Sequence, residues 1–323
     1  MPAKGGSASG GKQKILVAGS VAYDRIMNFP GYFKDNILPN KIHILNVSFF
    51  IQDLKESFGG TAGNIVYTLG LLGVKPTLLA NVGAKDFSVY KKWFQKNKID
   101  ISKVKIVKNQ QTASAYIITD KADNQITGFY PGAMKDPITK SKIDLAKVGL
   151  AIVSPQHPVD MVNLPKIFRA KKIPYIFDPG QQVASLSGAQ LKSAIIGSKV
   201  LIGNDYEIAL IRKKTSLSIN QLLKKTNILI TTLGASGSML RQGSNTIKIP
   251  AAKRANTLDP TGGGDAYRAG LIKGLVDDLP LQKVGQLATV TAVYSVEKYG
   301  TQVHKFTKTG LVKRYRQNFK EPI

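Results

Sequence analysis

The run Asp259-Pro260-Thr261-Gly262-Gly263-Gly264-Asp265-Ala266-Tyr267-Arg268-Ala269-Gly270 sets three consecutive glycines before an aspartate. Glycine lets the backbone approach a ligand closely and turn successive N–H groups the same way. A helix opening near Asp265 would add the partial positive charge of its N-terminus. Such a loop suits the negative charge on a migrating phosphoryl group, and the carboxylate beside it suits the uptake of a proton from an attacking hydroxyl. The same letters also describe a plain glycine turn with Asp265 as helix N-cap, so the run alone leaves both readings open.

Other residues could complete such a site. Asn204 and Glu207 stand three apart at an expected helix start and can face one point. Their oxygens suit Mg²⁺ and its waters, although Asn followed three residues later by Glu is also a capping signal. Thr231-Thr232-Leu233-Gly234-Ala235-Ser236-Gly237 follows an expected strand, where small residues fit a nucleotide-phosphate loop or an ordinary tight turn. Asp24, in Gly19-Ser20-Val21-Ala22-Tyr23-Asp24, places a carboxylate able to bind a vicinal diol just after the first expected strand. The turn Gly59-Gly60-Thr61-Ala62-Gly63-Asn64 brings an amide, and Phe129 and Tyr130 offer aromatic faces or core packing. The stretch from Gly6 to Lys12 imitates a phosphate-binding loop, but Gln13 stands where Ser or Thr is needed and the stretch precedes the first strand.

The elements that must position these residues follow from hydrophobic periodicity. Lys14–Gly19 reads as a buried first strand and 42–52 as a partly alternating strand. Helices are expected from 65 to 72 and from 86 to 98, with a strand at 76–82 between them, and 113–119 and 125–130 form a hairpin. Beyond residue 147, strands at 149–153, 174–177, 199–202 and 228–231 alternate with helices at 160–171, 188–196, 205–213 and 218–225, the signature of parallel βαβ units. Two antiparallel strands within 237–249 and helices at 265–275 and 281–298 complete the chain. The expected architecture is α/β, with a mostly parallel central sheet, helices on both faces and a small β lid. The core takes 14–35, 57–107 and 132–315, and the lid 36–56 and 108–131. Residues 1–13 form a flexible basic tail and 316–323 a C-terminal tail.

Composition removes several classes of chemistry. The 323 residues contain no Cys, which excludes disulfides, thiolate catalysis and zinc fingers, and only three His, which disfavours a histidine-built metal site. No apolar run reaches the roughly 20 residues needed to span a bilayer. The first residues lack the apolar core of a signal peptide, so a cytoplasmic protein is expected. The 46 Lys and Arg against 20 Asp and Glu leave a net charge of +26, a field that attracts anions. Only eight of those cations are Arg, the residue suited to bidentate base readout, so specific nucleic-acid recognition is not expected.

Taken in order, these motifs resemble the ribokinase-like (PfkB) small-molecule kinases over residues 14–310. Gly59-Gly60-x-x-x-Asn64 and Asp259-Pro-Thr-Gly-x-Gly264-Asp265 are the paired signatures. Within the family the chain looks most like the bacterial-type adenosine kinases, through Ser48-Phe49, Asn124 to Met134 and Asp178-Pro-Gly-Gln181-Gln182. The resemblance implies a three-layer ribokinase-like fold and an ATP-dependent phosphorylation of the 5′-hydroxyl of adenosine, as in purine salvage. It makes Asp265 the general base and gives the developing charge to the N–H groups of Gly262, Gly263 and Gly264. Asp24, Gly60 and Asn64 bind the ribose hydroxyls, with Ser20 and Gly59 in the same substrate set. Phe129 stacks near the adenine, Gln181 and Gln182 lie close to the nucleoside, and Ser48 reaches substrate from the lid, across a homodimer interface. Asn204, Thr232, Gly234 and Gly237 serve ATP, Glu207 holds Mg²⁺ through water, and Asp259 neighbours a monovalent cation, potassium in many relatives. Two positions depart from that pattern: Ala115 replaces an aromatic and Ser185 an arginine, both loosening the nucleoside pocket. A sugar or other nucleoside kinase, and a nucleic-acid-binding protein on a degenerate kinase scaffold, are the alternatives.

Overall fold

The computed structural model describes residues 14–122, 124–140 and 143–323. The basic tail 1–13 and the phosphate-loop imitation within it lie outside the described residues. The first strand, β1 (Lys14–Ala18), sends Ile15 and Val17 into one apolar core and Leu16 and Ala18 into another, because successive side chains of a strand point to opposite faces. A strand buried on both faces reads as an unbroken apolar run, which is why this element was legible. The same holds for β4 (Pro76–Gly83), β8 (Val148–Val153), β9 (Tyr175–Phe177), β10 (Ser198–Asn204) and β11 (Thr226–Thr232).

The nine-stranded sheet runs β13-β12-β11-β10-β9-β8-β1-β4-β5, its last strand β5 spanning Asp100–Val107. It is parallel throughout except for the terminal hairpin β12 (Ser238–Gln242) and β13 (Asn245–Ile249). On one face pack α2 (Thr61–Leu71), α3 (Phe87–Lys96), α8 (Gly263–Val276), α9 (Leu281–Val296) and α10 (Lys308–Phe319); on the other pack α4 (Pro158–Ala170), α5 (Gly188–Ile195), α6 (Asp205–Thr215) and α7 (Ile219–Leu223). The fold is the three-layer α/β arrangement. From β1 the chain order runs one way along the sheet to β4 and β5 and the other way from β8 to β11. That reversal opens a crevice at the strands' carboxyl ends, where ligands bind in open α/β sheets.

Over the crevice stands a second sheet in the order β3-β2-β6-β7: β2 (Ala22–Asn28), β3 (Asp53–Gly59), β6 (Ala113–Thr119) and β7 (Gln125–Tyr130). The pair β2·β6 is parallel and the other two pairs are antiparallel. The expected strand over 42–52 does not form. A one-turn helix α1 (Phe33–Asn36) and a 3-10 turn (Pro39–Ile44) lead into an extended segment, and the strand is β3 instead. Of the apolar residues that suggested a strand there, Ile42, Ile44, Leu45 and Phe50 stay exposed, with Ile44 66% and Phe50 80% accessible, while Phe49 packs on Phe29 and Phe33. Residues 22–28, placed with the core on sequence, belong to the lid sheet, and β5 (Asp100–Val107) extends the main sheet by one strand. The chain end is not a tail from 316 onward. Thr307 caps α10, Leu311 and Tyr315 bury their side chains, and Tyr315 Oη donates to Gln286.

Candidate active site

Asp265 sits in the first turn of α8, which opens two residues earlier than expected. The N-cap is Gly262, whose φ of +78° is a left-handed conformation that favours glycine; a Cβ there would also stand 3.0 Å from Thr301. Asp265 therefore does not cap the helix. Its Oδ2 accepts a hydrogen bond of 2.8 Å from Asn64 Nδ2, on the helix that follows the Gly59-Gly60 turn. The two signatures, 201 residues apart, thus meet at one carboxylate.

Two adjoining clefts share Asp265, Gly262, Gln181, Thr61 and Pro155. The larger, about 390 Å³, lies under the lid sheet and is lined by Ser20, Asp24, Gly60, Asn64, Phe129 and Gln182 among others. Ala115, Thr127 and Met134 also line it. The smaller, about 260 Å³, is lined by Asn204, Glu207, Thr232, Gly264, Asp178 and Arg268. Of the three glycine N–H groups, that of Gly263 donates to the Pro260 carbonyl at 3.2 Å; Gly262 and Gly264 line the smaller cleft.

The sites are built by close approach. Gly60 has φ +82°, and a Cβ there would lie 2.6 Å from the Ala22 nitrogen and the Ser20 carbonyl. A Cβ on Gly59 would lie 2.2 Å from Asp24 Oδ2, so the Asp24 carboxylate rests directly on that glycine. Ser20 Oγ accepts from the Thr61 backbone at 3.0 Å and ties the first strand's loop to α2. Asn204 and Glu207 form a reciprocal capping box: Glu207 N donates to Asn204 Oδ1 at 2.7 Å, and Asn204 N donates to Glu207 Oε2 at 2.8 Å. Capping does not take Glu207 out of the cleft: the box occupies Oε2 alone, and Glu207 also lines the smaller cleft. Asp259 accepts from Thr261 N at 2.8 Å and Gly300 N at 2.9 Å, which binds two loops together behind the glycines.

Three expected residues lie elsewhere. Ser48 is on the segment between the 3-10 turn and β3, outside the cleft of its own chain. Gly234 and Gly237 shape the turn after β11 without lining either cleft; a Cβ on Gly237 would collide with the Ile249 carbonyl at 2.0 Å. Conversely, sequence reasoning gave no role to Arg268 and Asp178. They form a buried bidentate pair, both bonds 2.6 Å, and Arg268 also donates to the Gly264 carbonyl at 3.1 Å. Asp178 follows β9 as Asn204 ends β10, and that shared position at a strand's carboxyl end was the available signal.

Electrostatics follow from this packing. Burial pushes the Asp265 carboxyl up to about 7; the Asn64 bond and Arg268 oppose this, while Asp178 and Asp24 add to it. Burial, then Asp259, pushes Asp24 up to about 6. Glu207 is also raised, chiefly by burial. Burial alone would lower the Arg268 pKa, but the Asp178 carboxylate outweighs it and holds the guanidinium charged. A carboxylate near neutrality at the throat between two clefts can take a proton in a turnover at physiological pH. Among the described residues, no three His, Asp or Glu side chains converge on a point that could hold a metal ion. Glu207 with its spare oxygen fits the other mode, in which Mg²⁺ arrives with substrate phosphates and meets one carboxylate, often through water.

Comparison with known proteins agrees with this geometry. The pfkB family carbohydrate kinase pattern matches residues 13–308. A nucleoside kinase of Methanocaldococcus jannaschii is 31% identical over 96% of this chain and 99% of its own length. A ribokinase of Lactococcus lactis is 25% identical over 90% of this chain and 92% of its own. A Burkholderia thailandensis nucleoside kinase solved in complex with inosine superposes with a TM-score of 0.85 at 33% identity, over 95% of this chain and 99% of that one. With both signatures joined at one carboxylate in a ribokinase-like fold, the chain belongs to the PfkB carbohydrate kinase family, whose members are phosphotransferases with an alcohol acceptor.

Proposed function

We propose that the chain transfers the γ-phosphoryl group of ATP to the 5′-hydroxyl of a nucleoside, adenosine among its acceptors, giving ADP and the nucleoside monophosphate, in the cytoplasm as a purine-salvage step. The observation that carries this reading is the sharing of Asp265 by the two clefts. The acceptor occupies the larger cleft, with its ribose hydroxyls on Asp24, Gly60 and Asn64 and Ser20 holding the loop beneath. The base lies against Phe129, within reach of Gln181 and Gln182. The triphosphate occupies the smaller cleft, beside Asn204 and Thr232. Asp265 takes the 5′-hydroxyl proton as the new O–P bond forms and the bond to the ADP oxygen breaks; the backbone of Gly262 to Gly264 and the start of α8 meet the developing charge. Glu207 would hold, through water, the Mg²⁺ that accompanies the nucleotide, and that ion would neutralise phosphate charge. Asp259 keeps lone pairs beyond its two backbone bonds and would be the group to hold a monovalent cation; stimulation of turnover by potassium is its test.

The shape of the larger cleft favours a nucleoside over a free sugar. A pentose would leave the region under Phe129 to water. Across from Phe129 in the β6·β7 register stands Ala115, which leaves room for more than one base. The B. thailandensis relative was solved with inosine, which supports a broad purine pocket. The lid also favours a homodimer. Leu38, Ile42, Ile44, Leu45, Phe50 and Leu54 are 52–80% accessible on one short segment, more apolar surface than a monomer usually leaves in one place. A second copy covering it would bring Ser48 toward the partner's cleft.

An ADP-release assay across adenosine, inosine, cytidine, ribose and fructose tests the function. Turnover with purine nucleosides and little with sugars is expected. Phosphorylation of ribose or fructose but not of nucleosides would overturn it.

A further inference from the structure

We propose that Gln302 is a positioning residue that sets which way the Asn64 amide faces, and through it the hydrogen bond that Asp265 receives. The inference rests on Asp265 being the base. Gln302 lies in the loop after α9, is 2% accessible and belongs to none of the motifs. Its Oε1 accepts from Trp93 Nε1 at 2.9 Å. Its Nε2 donates to Asn64 Oδ1 at 3.0 Å and to the Tyr90 hydroxyl. Asn64 Nδ2 then donates to Asp265 Oδ2 at 2.8 Å.

An amide can ordinarily turn over and exchange its oxygen and nitrogen. Here the indole decides, because its nitrogen can only donate. Trp93 requires an oxygen, so Gln302 must present its nitrogen to Asn64. Asn64 must answer with its oxygen, and its nitrogen is thereby turned to Asp265. Tyr90 is consistent with the same direction: its hydroxyl donates to the Gly59 carbonyl at 2.8 Å and so accepts from Gln302. The outer end is held rigidly, with Trp93 stacked on Phe58 at 5.2 Å and on Tyr67 at 5.9 Å. Space for the relay is built into the Gly59–Asn64 signature. A Cβ on Gly63 would lie 2.3 Å from the Tyr90 hydroxyl and 3.1 Å from Gln302 Nε2.

The Asn64 N–H favours the ionised form of Asp265; an Asn64 oxygen in its place would favour the protonated form. The other groups acting on Asp265 are Arg268, Asp178, Asp24 and the Tyr90 phenol, which burial keeps protonated. None of them is altered by exchanging atoms within the Gln302 amide. The test is the pH dependence of kcat, with KM for ATP and Tm, in Gln302→Glu, Gln302→Met and Trp93→Phe. A carboxylate at 302 can only accept, so Asn64 turns its nitrogen toward it and its oxygen toward Asp265. The acid limb of kcat should then rise by about one pH unit, cutting kcat at pH 7 about five-fold and restoring it near pH 9, with KM for ATP unchanged. Should the buried carboxylate of Gln302→Glu prevent folding, Trp93→Phe removes only the N–H that imposes the direction, and Gln302→Met removes both polar atoms. Each should move the limb the same way by less. An unmoved limb in the folded variants, or a loss equal at every pH with a lower Tm, would overturn the proposal and leave packing as the role of Gln302. Asp265→Asn separates the two readings: if it retains turnover, the base assignment fails whatever Gln302 does.

Discussion

Replacing Asp265 by Asn should cut turnover steeply and stabilise the protein, and the stabilisation should depend on pH. The carboxyl is pushed from an ordinary value of 3.8 up to about 7, first by burial. Its folded pKa exceeds its unfolded one, so the native state holds the proton more tightly. The contribution is favourable below about pH 4 and is lost as pH rises through about 7. A displacement of about three units corresponds to a penalty on the order of 4 kcal/mol on the ionised form. Asp265 is half-buried and open to solvent through the clefts it lines, and Asn would forgo the attraction to Arg268. A net gain of about 2 kcal/mol above pH 8 is therefore expected. Asn keeps an oxygen for the bond from Asn64, so the local geometry survives. In thermal unfolding, Asp265→Asn should melt several degrees above wild type at pH 8.5, and the gap should close toward pH 4.5. Turnover should fall about 10²–10⁴-fold, the usual worth of a general base. A variant that melts no higher than wild type at pH 8.5 would refute the burial argument. One retaining a tenth of wild-type kcat would refute the assignment as base.

Gly59→Ala places a methyl against the Asp24 carboxylate; KM for the nucleoside should rise at least about ten-fold with KM for ATP unchanged, as steady-state kinetics would show. Arg268→Met leaves Asp178 buried without its partner, a loss of about 3–5 kcal/mol visible in denaturant unfolding, and the double variant with Asp178→Asn should recover part of it. Phe50→Lys combined with Leu54→Lys puts two charges on the exposed lid segment; sedimentation should show a dimer in wild type and a monomer in the variant.

The elements legible in the chain are those whose pattern is imposed locally. Strands buried on both faces must be continuous apolar runs, and β1, β4, β8, β10 and β11 stand close to their expected bounds. The hairpin at 113–119 and 125–130 falls where its turn residues put it. The lid strands β2 and β3 obey no such rule. They are half-exposed, hold together mainly through backbone pairing, and carry mixed sequences such as Ala22-Tyr-Asp-Arg-Ile-Met-Asn28. The apolar stretch 42–52 looked more like a strand than either of them, yet among the described residues it joins neither sheet.

At the candidate site, the residue types, their order and the glycines that admit a phosphate-sized ligand are properties of the chain. They were enough to identify a reaction class. What the chain does not carry is the state of those residues. Whether Asp265 caps a helix or faces a cleft, what keeps Arg268 charged, and which end of the Asn64 amide is turned inward depend on partners 90 to 238 residues away. Protonation and amide orientation are set by burial and by the donors and acceptors within a few ångströms, and those neighbours exist only once the sheet has closed.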